Sequence, residues 1–127
     1  MQSLAQHFAT EAYNNAWANH RLLRACAQLS REEFAAKRTS FFPSIKATLN
    51  HILTVDWYYV EILERSLAGQ PPHENARRHF EVAEPFDDCA VLAREQRASD
   101  LRLVALCNAL TDARLDEVVR MPRRAGM

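Results

Sequence analysis

Residues 40–67, SFFPSIKATLNHILTVDWYYVEILERSL, decide the fold. Two apolar stripes run along this stretch at helical spacing. One takes in Ile45, Leu49, Ile52, Asp56, Tyr59 and Leu63. The other takes in Thr48, His51, Val55, Tyr58 and Ile62, and lies about 100° round the helix. A helix with two adjacent apolar stripes needs neighbours on more than one side, so the stretch predicts the central helix of a bundle. Pro43 suits the first turn, where a missing N–H costs nothing. Gly69 suits the position just past the end, and Pro71-Pro72 prevents the helix from resuming. His51 is the one histidine in the stretch. Among apolar neighbours it reads either as a core histidine bonded to a nearby group or as a ligand.

Helical spacing continues on both sides. Residues 3–29 place Leu4, Phe8, Tyr13, Ala16, Trp17, Leu22, Leu23 and Ala27 on a helical period, with Ser3 as the N-cap and no Gly or Pro to interrupt. Tyr13, Trp17 and His20 share a face with Ala16 and are expected in the core. Asn14 and Asn19 are poor interior helix formers and are expected either to hydrogen-bond or to face water. Ser30 and Glu33 have capping-box spacing, which predicts a short helical turn. The connector over residues 70–85 carries His73 and His79, expected in water. Asp87 or Asp88 can cap a third long helix over residues 88–110. Its stripe is Cys89, Leu92, Gln96, Ser99, Leu103, Leu106 and Leu110. Gln96 and Ser99 make it polar at mid-height, so they need partners: each other, His20, Asn19, a water or a ligand. Residues 111–116 read as a turn, and Val118-Val119 as a short strand or an extended arm.

Composition narrows the class. Apolar residues make up 48% of the 127, and there are only two glycines, which disfavours a turn-rich β protein. Lys plus Arg equals Asp plus Glu, 16 of each, so nothing attracts nucleic acid or an acidic membrane broadly. The helices are too long, and lack the basic recognition helix, for helix-turn-helix DNA binding. Arg120, Arg123 and Arg124 are expected to be a solvated tail. Cys26, Cys89 and Cys107 form no C-x-x-C pair, so a reducing cytoplasm without disulfides is expected. No apolar run approaches the ~20 residues of a membrane span, and the N-terminus does not read as a signal peptide. The expectation is one all-α domain over residues 1–127.

YNNAWANHRLL at residues 13–23, SFFPSIKATLNHILTVDWYYVEIL at 40–63 and LAREQRASDLRLVALCNAL at 92–110 closely resemble the DinB family of four-helix bundles. The resemblance implies a fourth helix, a divalent metal such as zinc or nickel, and three histidine ligands. One of these stands on the second long helix and two on the fourth, as H-x-x-x-H. His51 matches the first. No H-x-x-x-H occurs among His7, His20, His51, His73 and His79. The three long helices are therefore expected without the fourth, and the other two ligands from residues beyond 127 or from a partner chain. A ligating imidazole needs a partner on its other nitrogen, and Asn19, Asp56, Tyr59 and Gln96 are the candidates. The family includes mycothiol-dependent maleylpyruvate isomerases and bacillithiol transferases. The resemblance thus implies a metal-dependent transferase or isomerase using a low-molecular-weight thiol on a small-molecule substrate. The competing expectation is a non-catalytic bundle that forms a homodimer through the apolar face the absent helix would cover.

Overall fold

The computed structural model describes residues 3–122, and Arg123 and Arg124 lie outside them. Three long helices make an all-α bundle: α1 (Leu4–Cys26), α3 (Ile45–Leu67) and α4 (Cys89–Ala109). A one-turn helix, α2 (Arg31–Ala35), follows α1, and 3₁₀ turns occupy Ala76–Phe80 and Asp112–Asp116. No strand occurs among the described residues, so Val118-Val119 forms an extended arm, with Val119 packed beside Tyr58, Ile62 and Ala76.

Side-chain pairings fix the helix directions. Ala5 meets Asp112, Tyr13 meets Asn108 and Asn19 meets Asp100, so α1 and α4 are antiparallel. Asn50 meets Phe86, Asp56 meets Gln96 and Glu64 meets Arg102, so α3 and α4 are parallel. Two parallel neighbours require the chain to travel back along the helix, about 34 Å for 23 residues. The long connector after α3 makes that crossing, which explains its length.

The helix ends follow their sequence signals. Ser3 with Gln6, and Ser30 with Glu33, each form a capping box. Asp88 caps α4 by accepting from the Ala90 and Val91 amides at 2.7 and 3.3 Å. At the end of α3, the Gly69 amide donates to Ser66 O and the Gln70 amide to Arg65 O, a Schellman closure. Gly69 has φ +73°, the left-handed conformation that glycine adopts without strain.

The start of α3 differs from expectation. Pro43 stands outside the helix, and Ser44 is its cap, buried and accepting from the Ala47 amide at 2.9 Å. A side-chain oxygen satisfies an orphan N–H, which a proline carbon cannot do. Ser44→Ala is expected to destabilise the protein by about 1 kcal/mol in a urea titration, without altering the helix content of the folded state.

The main core joins α1, α2, α3 and α4 through Leu23, Cys26, Phe34, Leu49, Leu53 and Leu92. Leu53 and Leu92 are wholly buried, which makes α3 and α4 the heart of the bundle. Toward the other end, Ala12 packs with Val104, Leu106 and Cys107. The expected aromatic face of α1 is not core: Tyr13 and Trp17 are 55% and 61% exposed, and His20 is also exposed. α1 buries alanines (Ala5, Ala12) and Leu23 instead, and small residues let its backbone approach α4 closely. The Arg21 guanidinium lies over the Trp17 ring, 4.8 Å from its centroid.

Candidate functional site

His51 is exposed, although it sits in an apolar stretch. Its ring leans against Phe42, with centroids 4.5 Å apart and planes tilted by 32°. Both line a cleft of about 550 Å³ along one side of α3. Helix spacing accounts for the α3 wall, since Ala47, His51, Thr54 or Val55, and Tyr58 succeed one another every three or four residues. Phe42 and Pro43 close one end, and Arg77, Phe80 and Glu84 of the connector form the opposite wall. Thr54 donates to the His51 carbonyl at 3.1 Å. The imidazole nitrogens of His51 have no hydrogen-bond partner among the described residues.

The connector wall is held by partly buried polar contacts. Glu61 of α3 accepts from Arg78 Nη1 at 2.9 Å, from a second and shorter Arg78 contact, and lies 3.1 Å from His79 Nε2. Burial alone would raise the Glu61 pKa; the Arg78 and His79 contacts outweigh it and hold the carboxyl below its ordinary range. His79, expected in water, is tucked against Glu61 and Trp57. Asn50 fastens the far end of the connector: its amide donates to Phe86 O at 2.9 Å and accepts from the Phe86 amide at 3.0 Å. These two anchors set the position of Phe80 and Arg77 over the cleft.

The candidate partners for His51 assemble elsewhere. Gln96 donates to Asp56 at 2.8 Å and to Asp100 at 2.9 Å, and Asn19 and Asn15 also donate to Asp100. Of the expected group only Tyr59 lines the His51 cleft. Asn19 thus has a hydrogen-bonding task, while Asn14 faces solvent. Gln96 finds carboxylates rather than Ser99 or His20, and the buried Ser99 hydroxyl has no partner among the described residues. Burial pushes the Asp100 carboxyl up, partly offset by the Gln96, Asn19 and Asn15 hydrogen bonds. Burial likewise raises Asp56, the Gln96 bond opposes it, and the charge of Asp100 adds to the rise. Asp100 was not among the sequence candidates, yet its i+4 spacing from Gln96 carried the signal. Arg77 and Phe80 had no such signal, because the connector has no period.

Metal-binding capacity is limited. Among the described residues no group of three His, Cys, Asp or Glu side chains could hold a metal ion. Among the described residues His51 is the only histidine lining its cleft. The three cysteines are free, and burial raises the pKa of each, which disfavours the ligating thiolate. A catalytic zinc site takes three protein ligands, so the described residues do not fit such a site on their own. No helix among them is long and apolar enough to cross a membrane.

The model of the DinB family covers residues 1–117, which spans α1 to the turn after α4. No curated protein and no solved structure matches the chain.

Proposed function

From the premise that the chain belongs to the DinB family, we propose that it is a divalent-metal-binding member in which His51 supplies one ligand, and that it acts on a small molecule as a thiol-dependent transferase or isomerase. The observation that supports this reading is the presentation of His51. A histidine at an otherwise apolar position of the central helix is exposed and lines a cleft of about 550 Å³, with no hydrogen-bond partner on its ring among the described residues. Two further ligands from outside the described residues complete the site, with zinc or nickel as the ion. The purified protein, dialysed against zinc or nickel and then against metal-free buffer, is expected to retain bound metal. Loss of a hydrogen-bonding partner behind a ligand weakens metal binding by about 10–100-fold, so His51→Ala should cost at least as much. Metal retention equal in the wild type and His51→Ala rules the reading out.

A second reading is supported by the exposure of Phe8, Tyr13 and Trp17 along α1, at 43%, 55% and 61%. In it the bundle is a non-catalytic interaction protein that forms a homodimer. Sedimentation equilibrium separates the two: a dimer that binds no metal supports the second, and a metal-retaining protein of either mass supports the first.

A further inference from the structure

We propose that the His51 cleft binds a small aromatic monocarboxylate, whose carboxylate is received by Arg77. The inference rests on the reading of this cleft as the functional site and names the class of its ligand.

Two successive arginines leave the 3₁₀ turn of the connector with different fates. Arg78 is consumed by Glu61. The Arg77 side chain has no hydrogen bond and no ion pair among the described residues. It is half-buried, and its guanidinium lies 5.1 Å from the Phe80 ring centroid, at the cleft wall. Contact with an aromatic face orients the guanidinium while leaving its N–H groups unspent. A planar fork of donors matches a carboxylate in two parallel hydrogen bonds.

The rest of the cleft narrows the ligand. Phe42, Tyr58 and Phe80 all contribute to the lining, which suits a flat apolar body. The volume, about 550 Å³, falls within the ~300–1,000 Å³ of small-molecule sites. Glu84 lines the same cleft and is weakly neutralised. Lys46 stands 3.9 Å from it but 2.6 Å from Asp87, which takes most of that charge. One free guanidinium with one carboxylate nearby suits a monoanion and disfavours a dianionic phosphate. Tyr59, 46% exposed, has a hydroxyl without a partner among the described residues and can meet a second polar group of the ligand.

The test uses metal-free protein in chelator, so that it does not depend on the metal. Benzoate is titrated against the protein by NMR, with benzamide as the uncharged analogue and inorganic phosphate as the anion without a ring. Benzoate is expected to bind at least about tenfold more tightly than either, the worth of a charge-assisted hydrogen-bonded pair. Arg77→Ala should weaken benzoate by about tenfold and leave benzamide unchanged, and Arg77→Lys should recover part of the loss. Absence of benzoate binding, equal binding of benzoate and benzamide, or an unaltered affinity in a folded Arg77→Ala protein overturns the proposal. Metal retention is scored separately, so either idea can fail while the other stands.

Discussion

Gln96→Leu is expected to cost about 3–5 kcal/mol of stability near neutral pH, and much less under acid conditions. Gln96 is 2% exposed, and one side-chain amide serves two carboxylates on two helices. Hydrogen bonds to charged groups are worth about 1.5–3 kcal/mol each, and both are lost together. Leucine fills the space but leaves Asp56 facing Asp100 without a shared donor. Asp56 and Asp100 already have folded pKa values above the ordinary carboxylate value, so the native state binds more protons than the unfolded chain between the two. Stability therefore falls as pH rises through that interval. Removing Gln96 raises the folded values further and widens the interval upward. The gap between wild type and variant should thus be small where both carboxyls are protonated, and full above the raised values. Urea titrations across the acid range read this directly. Adding Asp56→Asn to Gln96→Leu should restore part of the loss at neutral pH. A gap that does not change with pH would show that Gln96 acts through packing alone.

That network marks the limit of what was legible in the sequence. The long helices, their caps and the Gly69 stop were readable because each rests on local rules: a 3.6-residue period, a Ser or Asp at the start, a glycine at the end. The DinB resemblance was carried by the same three segments. Which polar groups meet across helices was not readable, because it depends on helix direction and register. Asp56 and Gln96 could be seen as inward-facing positions, but only the parallel arrangement of α3 and α4 brings them to 2.8 Å. The aromatic face of α1 misled for a related reason. Tyr13 and Trp17 have the right spacing for a core stripe, and the alanine side of the same helix won the close approach to α4. The cleft was half legible. His51 stood out on the central helix, whereas its opposite wall comes from an aperiodic connector held in place by side chains far away in sequence.

Asn50→Ala is expected to cost about 2–4 kcal/mol and to loosen that opposite wall. Asn50 has no exposed surface. Its side chain donates to the Lys46 and Phe86 carbonyls and accepts from the Phe86 amide, each at 2.9–3.0 Å. An alanine leaves both backbone groups of Phe86 without this partner, and each buried orphan costs about 1–3 kcal/mol. Asn50→Asp separates donor from acceptor. An aspartate can still accept from the Phe86 amide, but its charge faces two carbonyl oxygens, so it should destabilise at least as much as alanine. The consequence reaches the cleft because the segment that begins with Arg77 and Phe80 ends at Phe86. Amide hydrogen exchange should show faster opening of residues 76–87 in Asn50→Ala, with α1 little changed. Benzoate affinity should fall along with that protection, although Asn50 does not line the cleft. If the connector stays protected while stability drops, Asn50 supports only the core of α3, and the wall that carries Arg77 is held by Glu61 alone.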